Sequence, residues 1–316
     1  MTSTAKIDLD TRVGWLTLST PVVAASGTFG YGDEFAERLD LSGLGAIVTK
    51  TVTCEARPGN PPHRILETAS GMLNSIGLEN VGLEKFRAVK LPRIRRLSCP
   101  VLASLGGQNP DELVKLVTAL EAEEGLAGYE INFSCPNVKA GGARFWADAT
   151  RLRETLLALR PLTQRALWAK LSPNVTDPGE MATAAEAGGA DALTVCNTFV
   201  GTAVSLESRE FVLGAATGGL SGPAIKPLAL AQVFEVSGRV RIPVVASGGA
   251  VSVRDVLEFL LVGAAAVQVG TAHFLDPATG TRIGLSLAEE CQRLGISSPH
   301  ELRRRVGSAT AGSAAG

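Results

Sequence analysis

Short apolar runs alternate with amphipathic segments along most of the chain. Each run has the length of a strand and ends in small or polar residues, and the segment after it has apolar residues at helical spacing, which is typical of successive strand and helix units. The eight predicted strands are 22–25, 46–50, 101–105, 129–134, 167–171, 192–197, 244–247 and 266–269. The predicted helices begin near Asp33, Glu79, Asp111, Asp148, Asp177, Gly222, Ser252 and Pro277, and several of these residues suit an N-cap.

The number of these units predicts the architecture. Eight strand and helix units within 316 residues favour an α/β fold of the (β/α)8 TIM barrel type over an open, doubly wound sheet. No Gly-x-Gly-x-x-Gly follows the first strand, which also argues against a dinucleotide-binding sheet. A small hairpin is predicted ahead of the barrel at 7–19, with its turn at 10–14. We expect one domain over 1–306 and a disordered tail at 307–316, which has too little apolar surface to pack.

Two connections are longer than the roughly 2 to 6 residues of an ordinary loop between a strand and a helix. They are 51–78 after the second strand and 198–221 after the sixth strand. Loops of this length are commonly lids or binding loops, and both follow the carboxyl ends of barrel strands. We therefore expect both to cover the face of the barrel on which ligands bind.

Composition and charge narrow the class of partner. Thirty Lys and Arg residues stand against 31 Asp and Glu residues, a formal net charge of −1, so no overall field attracts nucleic acid or an anionic membrane. The five cysteines are scattered and lack the close pairs of zinc or iron-sulfur sites, which predicts reduced thiols in a cytoplasmic protein and no metal. No apolar run reaches about 18 residues, so we expect no membrane span.

The segment from Tyr129 to Lys139 contains a candidate for chemistry. Its first residues form the fourth predicted strand, and Pro136 ends that strand because proline donates no ladder hydrogen bond. Cys135 therefore stands at the carboxyl end of a strand, where such barrels bind ligands. A lone cysteine is also often a small buried apolar residue, so the position alone leaves both roles open. Cys196, in the sixth strand, is expected to alternate away from the barrel mouth.

Polar residues and glycines also end the other predicted strands. Lys50 and Lys170 terminate short apolar strands, and since a closed barrel has no exposed edge they should meet anionic groups at its mouth. Glycine turns follow the seventh and eighth strands, where barrels commonly present backbone N–H groups to a phosphate. Two lysines and a phosphate site together suggest a phosphorylated cofactor such as flavin mononucleotide, FMN.

Four asparagines supply amide groups to the same face, namely Asn74, Asn132, Asn137 and Asn197. An amide both donates and accepts hydrogen bonds, which matches the edge of an imide or amide ring better than a hydrocarbon or a sugar phosphate. Each asparagine alone could equally be a turn residue or a cap. Their convergence on one face favours a polar ring as the ligand.

At these motifs the chain resembles the class 1 dihydroorotate dehydrogenases, and more closely the catalytic, FMN-binding subunit of class 1B, the NAD-linked type. The resemblance keeps the family's order from Ala24 to about Phe274. Its main motifs are Ala24-Ala25-Ser26-Gly27-Thr28-Phe29-Gly30, Lys50-Thr51-Val52-Thr53, Gly71-Met72-Leu73-Asn74-Ser75-Ile76-Gly77-Leu78, Asn132-Phe133-Ser134-Cys135-Pro136-Asn137-Val138-Lys139, Lys170-Leu171-Ser172-Pro173-Asn174 and Val267-Gln268-Val269-Gly270-Thr271. One departure is Ser104, where the family usually has Asn.

The resemblance implies an activity and its residues. The implied reaction is the FMN-dependent oxidation of (S)-dihydroorotate to orotate in pyrimidine biosynthesis, with Cys135 as the base and hydride transfer to FMN. The implied substrate contacts are Lys50, Asn74, Ser75, Ile76, Gly77, Leu78, Asn132, Asn137, Asn197 and Thr198. The implied cofactor contacts are Ser26, Lys50, Thr51, Asn132, Lys170, Gly222, Gly248, Gly249, Gly270 and Thr271.

The resemblance also implies partners. Class 1B catalytic chains work with a second chain that bears FAD and an iron-sulfur cluster, so we expect such a subunit and a homodimer or heterotetramer. Three alternatives stay open. They are a related flavin barrel that acts on uracil-type dihydropyrimidines, a fumarate-linked class 1A enzyme, and a non-catalytic barrel that binds a nucleotide or a partner.

Overall fold

The computed structural model describes residues 7–133 and 147–303. The strands in these ranges are β1 (Thr11–Val13), β2 (Leu16–Leu18), β3 (Val22–Ala24), β4 (Ala46–Val48), β5 (Ile65–Thr68), β6 (Gly71–Asn74), β7 (Val101–Leu105), β8 (Gly128–Asn132), β9 (Ala166–Lys170), β10 (Ala192–Val195), β11 (Phe199–Gly201), β12 (Gly218–Ser221), β13 (Val244–Ser247) and β14 (Ala266–Val269). Eight of them, β3, β4, β7, β8, β9, β10, β13 and β14, are parallel and close into a barrel in chain order. The predicted TIM barrel is confirmed, and the ends of its strands lie within two residues of the predicted ends.

Helices connect the barrel strands on the outside. They are α1 (Gly82–Lys85), α2 (Leu91–Ile94), α3 (Pro110–Glu121), α4 (Ala149–Leu159), α5 (Pro178–Ala187), α6 (Lys226–Arg239), α7 (Val253–Leu261), α8 (Ala272–Leu275) and α9 (Thr279–Arg293). The side chains of Asp148, Asp177 and Ser252 accept hydrogen bonds from the backbone at the starts of α4, α5 and α7, as the N-cap predictions require. Among the described residues no helix has both the length and the apolar character needed to cross a membrane.

The helix predicted near Asp33 is wrong, because residues 31–39 form turns. Lys90, in the π-helical turn Phe86–Lys90 that joins α1 to α2, donates to Asp33 Oδ1 at 3.2 Å and to Glu34 Oε1 at 2.7 Å. Asp33 and Glu34 are therefore held by a residue more than 50 positions away in the chain. A local pattern of apolar residues does not reveal such a contact.

The amino-terminal hairpin is confirmed and closes the lower end of the barrel. Strands β1 and β2 pair antiparallel, and their turn lies at Gly14 and Trp15 rather than at the predicted 10–14. Val13 and Leu18 from this hairpin are fully buried against apolar residues of the barrel interior, including Trp168. The amino ends of the barrel strands are thus sealed by apolar packing, which leaves the carboxyl ends as the open face.

Both long connections were predicted as loops, but each contains strands. Strands β5 and β6 lie in the connection after β4, and β11 and β12 lie in the connection after β10. The four strands form one antiparallel sheet in the order β11, β12, β6, β5, and Asn74 pairs with Gly219 across 145 residues of sequence. The predicted position of the two connections, over the carboxyl ends of the barrel strands, is confirmed by the cavity that they enclose.

Two predictions concern parts of the chain outside the described residues. The proposed tail at 307–316 and the last residues of the proposed domain 1–306 both fall beyond residue 303. The division into one domain and a tail therefore stays a prediction.

Candidate active site

A cavity of about 360 Å³ lies between the carboxyl ends of the barrel strands and the four-stranded sheet. We call the side formed by the barrel strand ends and their turns the floor, and the side formed by β5, β6, β11, β12 and their connections the cover. The floor residues that border the cavity are Ala25, Ser26, Gly27, Thr28, Lys50, Thr51, Asn132, Lys170, Asn174, Cys196, Asn197, Thr198, Ser247, Gly248, Gly249, Gly270 and Thr271. The cover contributes Ile65, Met72, Asn74, Ile76, Gly77, Leu78, Glu79, Val200, Thr217, Gly218, Gly219, Ser221 and Gly222.

The structure brings nearly all of the described site predictions to this cavity. Ser75 is the exception, because it is buried away from the cavity, where its Oγ accepts a hydrogen bond from Asn60 Nδ2 at 2.8 Å. Cys135 and Asn137 lie outside the described residues. The roles assigned to all of these residues remain predictions, whereas their location is now known for the described ones.

The glycine turn after β13 is shaped by backbone conformation and by lack of space. Gly248 and Gly249 have φ angles of +135° and +82°, which side chains rarely adopt. A Cβ on Gly249 would lie 2.8 Å from the backbone nitrogen of Lys226, and one on Gly248 would lie 2.9 Å from Ala229 Cβ. The backbone thus reaches the cavity directly at a place where no side chain fits. This arrangement suits a phosphate group, which needs close approach to backbone N–H groups.

Two lysines border the cavity in different electrostatic surroundings. Lys170 is 5% exposed, and its Nζ lies 3.6 Å from Glu130 Oε1, so this lysine has an anionic partner, but one that lies below the mouth rather than at it. Lys50 is half-buried and forms no ion pair within residues 7–133 and 147–303. Its charge is therefore available to an anionic ligand in the cavity.

Glu130 is a buried charged residue that the sequence predictions missed. It lies on β8 two residues before Asn132, has no exposed surface, and accepts hydrogen bonds from Thr194 Oγ1 at 2.7 Å and Gln268 Nε2 at 2.6 Å. Because side chains alternate along a strand, Glu130 had to face the same way as Asn132. The alternation of side chains along β8 is therefore the feature of the sequence that could have placed Glu130 inside the barrel.

Three of the predicted asparagines meet at the cavity. Asn197 Nδ2 lies 3.4 Å from Asn132 Oδ1 on the floor, and Asn197 Oδ1 accepts a hydrogen bond from the backbone of Thr198 at 2.8 Å. Asn74 approaches from the cover, where its Nδ2 donates to the backbone oxygen of Gly219 at 3.2 Å. Amide groups thus face the cavity from both sides, and a planar polar ring between them could form hydrogen bonds with each.

Ser104, the departure from the family pattern, lies inside the barrel below the floor. Its Oγ and Thr51 Oγ1 are 2.9 Å apart, and Thr51 borders the cavity. Ser104 itself is fully buried and does not border the cavity. Its one contact with a residue that borders the cavity, among the hydrogen bonds of the described residues, is the one to Thr51.

The expected orientation of Cys196 is wrong, because Cys196 borders the cavity. Strand β10 ends at Val195, so the alternation that predicted an outward side chain no longer applies at Cys196. Burial raises the pKa of the Cys196 thiol to about 12, although the nearby charge of Lys170 acts in the opposite direction. This thiol is therefore protonated at neutral pH and is a poor base.

The remaining described cysteines are also poor bases. Burial raises the pKa of Cys99 to about 11 and also raises the pKa values of Cys54 and Cys291. In the described part of the chain, no three His, Cys, Asp or Glu side chains are close enough together to hold a metal ion.

Known proteins are similar to this chain in both sequence and fold. The dihydroorotate dehydrogenase family model matches residues 8–290. The catalytic subunit of dihydroorotate dehydrogenase B (NAD(+)) from Trichlorobacter lovleyi is 48% identical over 289 residues, which cover 92% of this chain and 95% of that protein. The corresponding subunit from Geotalea daltonii is 47% identical over 298 residues, with 94% and 98% covered.

A solved structure supports the same assignment. The crystal structure of DHODH from Eimeria tenella in complex with ferulenol has a TM-score of 0.78 and 25% sequence identity, and the match covers 96% of this chain and 89% of that chain. The barrel, the cavity at its carboxyl face and the sequence matches over most of the chain all indicate the same family. The chain belongs to the dihydroorotate dehydrogenase family.

Proposed function

We propose that the protein oxidises (S)-dihydroorotate to orotate in pyrimidine biosynthesis, as the FMN-binding catalytic subunit of an NAD-linked, class 1B enzyme. The observation that carries this proposal is the cavity, where two lysines, three amide side chains and a glycine turn converge in a chain that is 48% identical to such a catalytic subunit. The names of these relatives favour dihydroorotate over uracil-type rings and NAD over fumarate.

The floor would hold FMN. Gly248, Gly249, Gly270 and Thr271 would surround its phosphate, and Lys170 would lie beside its ring. Ser26, Thr51 and Asn132 of the floor would supply further contacts, and Gly222 would contribute one from the cover. Bound FMN would supply a two-electron acceptor for hydride. Lys170 would offset the negative charge that the reduced cofactor gains.

The substrate would lie between floor and cover. Dihydroorotate is an anion with an imide edge, so it needs a positive charge and groups that both donate and accept hydrogen bonds. Lys50 would pair with the carboxylate, and Asn74, Asn132 and Asn197 would bind the ring. Ile76, Gly77, Leu78 and Thr198 would complete the wall and exclude water.

Proton removal from carbon 5 is assigned to Cys135, while hydride leaves carbon 6. Cys135 follows Asn132, the last residue of β8, by three positions in the sequence. The other four cysteines all have raised pKa values, so none of them suits the removal of a proton at neutral pH. Asn137, two residues after Cys135, is assigned to the substrate on the same basis of sequence.

Electrons would leave through a second subunit. The names of the relatives describe a catalytic subunit of an NAD(+)-linked enzyme, which supports a partner that carries the onward transfer. We propose that this partner bears FAD and an iron-sulfur cluster and that the assembly is a homodimer or a heterotetramer of the two chains.

The test is to purify the chain, record its absorption spectrum, and follow orotate formation with an artificial electron acceptor. We expect a bound flavin released as FMN, orotate from dihydroorotate, and no comparable turnover of dihydrouracil. A protein without flavin, or a flavoprotein that oxidises dihydrouracil but not dihydroorotate, would overturn the proposal. Addition of NAD should give turnover only when the partner subunit is supplied.

A further inference from the structure

A charged network lies inside the barrel directly below the cavity. Glu130 on β8 does not border the cavity, and its carboxylate is bound on one side by Thr194 on β10 and Gln268 on β14. On the other side its Oε1 lies 3.6 Å from Lys170 Nζ and has no hydrogen-bond partner among the described residues. Of the described residues that contact the Glu130 carboxylate, Lys170 is the one that borders the cavity.

Stability alone does not account for a carboxylate at this depth. The layer below it in the barrel is apolar, with Trp168 and Val245 fully buried there. A buried ion pair is often no more stabilising than apolar residues of the same volume, because both charges lose their hydration. The geometry of the network is instead suited to control one group, the ammonium of Lys170, which also lies 3.4 Å from Gln268 Oε1.

We propose that Glu130 is a positioning residue that fixes the ammonium of Lys170 and offsets its charge, and that this pair sets the reduction potential of the bound flavin. The inference rests on the proposed function, since it takes FMN as the ligand beside Lys170. An uncompensated ammonium would stabilise the anionic reduced flavin strongly, and a neutral lysine would stabilise it little. The carboxylate keeps the effect of Lys170 between these limits.

The test measures the equilibrium between FMN in the purified protein and a redox dye of known potential. Glu130→Gln removes the charge but keeps the shape, and we expect the equilibrium constant for FMN reduction to rise by at least about fivefold. Lys170→Met should lower it. In the double variant Glu130→Gln/Lys170→Met, the constant should equal that of Lys170→Met, because an unpaired buried carboxyl group becomes protonated and loses its charge.

Two further variants serve as controls. Glu123→Gln removes a carboxylate outside the barrel, where Glu123 pairs with Arg87 and Arg95, and it should leave the constant unchanged. Glu130→Asp keeps the charge but shortens the side chain, so it should shift the constant less than Glu130→Gln does. This second variant also tests the inference if Glu130→Gln does not fold.

Each result decides between the possibilities. An unchanged or lowered constant in Glu130→Gln would overturn the inference while leaving the proposed function intact, provided that FMN is bound. An equal rise from Glu130→Gln in the wild-type and Lys170→Met backgrounds would show that Glu130 acts independently of Lys170, which also overturns it. A protein that binds no flavin would overturn the proposed function and this inference together.

Discussion

The floor and the cover of the cavity are built in different ways. The floor consists of strand ends from consecutive strand and helix units, so each of its residues follows a local pattern in the chain. The cover is a sheet whose central strands, β6 and β12, come from connections separated by more than a hundred residues, as the hydrogen bond from Asn74 to Gly219 shows. The floor residues are thus positioned by the barrel strands. The cover, in contrast, depends on pairing between two segments that are far apart in the sequence.

The difference suggests a division of labour in the proposed reaction. The floor contains both lysines, the glycine turn and the strand that precedes Cys135. The cover contains Asn74 and the residues Ile76, Gly77 and Leu78 that follow it. We therefore expect changes to Lys170 or to the glycine turn of the floor to affect cofactor binding or the rate of chemistry, and changes to Asn74 in the cover to affect mainly the apparent affinity for substrate.

The largest effect is expected at Cys135. Cys135→Ala should lower kcat by about 10²–10⁴-fold with FMN still bound, because it removes the proposed proton acceptor without changing the glycine turn. Steady-state assays with an artificial acceptor and the flavin spectrum measure both quantities. Cys196→Ala is the matched control, since Cys196 also borders the cavity but its pKa is raised to about 12, and its turnover should stay within a few fold of wild type. Wild-type turnover in Cys135→Ala would contradict the base assignment.

Sequence patterns predict most of the floor, with Cys196 as an exception, and little of the cover. All eight barrel strands were predicted, and Lys50, Lys170 and Gly249 were correctly placed at one face, because each strand end is marked by a local change from apolar to polar residues. The pairing of β6 with β12 does not follow from the sequence, since Gly71–Asn74 and Gly218–Ser221 are four residues long, each begins with glycine, and they pair at long range. Glu130 was missed for a different reason. It lies within an apolar run, and only the alternation of side chains along the strand gives it the inward direction of Asn132.

The next effect concerns the free energy of unfolding of the protein at low pH. His273, in α8 just after the turn that contains Thr271, is buried beside Phe29, and burial lowers the pKa of its imidazole to about 4. In the unfolded chain its pKa is about 6.5, so between these values the unfolded state binds the proton and the folded state does not. Stability from this residue is therefore complete above about pH 6.5 and is lost as the pH falls towards 4, by up to about 3 kcal/mol.

Denaturant titrations at several pH values test this expectation. His273→Gln should keep an acceptor for the backbone N–H of Gly280, which lies 3.2 Å from His273 Nε2, and should reduce the loss of stability between pH 6.5 and 4. His63→Gln is the control, because His63 is exposed and its replacement should leave the pH profile unchanged. Identical pH profiles of the free energy of unfolding for wild type and His273→Gln would show that this histidine does not limit the stability of the protein at low pH.

A smaller effect is expected from the glycine turn. Gly249→Ala places a Cβ 2.8 Å from the backbone of Lys226 at a φ of +82°, so it should lower the free energy of unfolding by roughly 1–3 kcal/mol and weaken FMN binding. Gly295→Ala is the matched control, with a φ of +70° and open space around the new Cβ. It should cost only about 1–2 kcal/mol and leave FMN affinity unchanged. Equal FMN affinities in the two variants would mean that the turn does not bind the cofactor.

The smallest effect is expected in the cover. Asn74→Ala removes an amide that borders the cavity and that is proposed to bind the substrate ring. The loss of one hydrogen bond to the substrate should raise KM for dihydroorotate by about tenfold. Because Asn74 does not belong to the floor, kcat and FMN affinity should stay close to wild type. Asn109→Ala offers the same chemical change at the N-cap of α3, and it should lower stability by about 1 kcal/mol without changing KM. If Asn74→Ala instead released FMN with KM unchanged, Asn74 would hold the cofactor rather than the substrate, and its assignment to the substrate would be wrong.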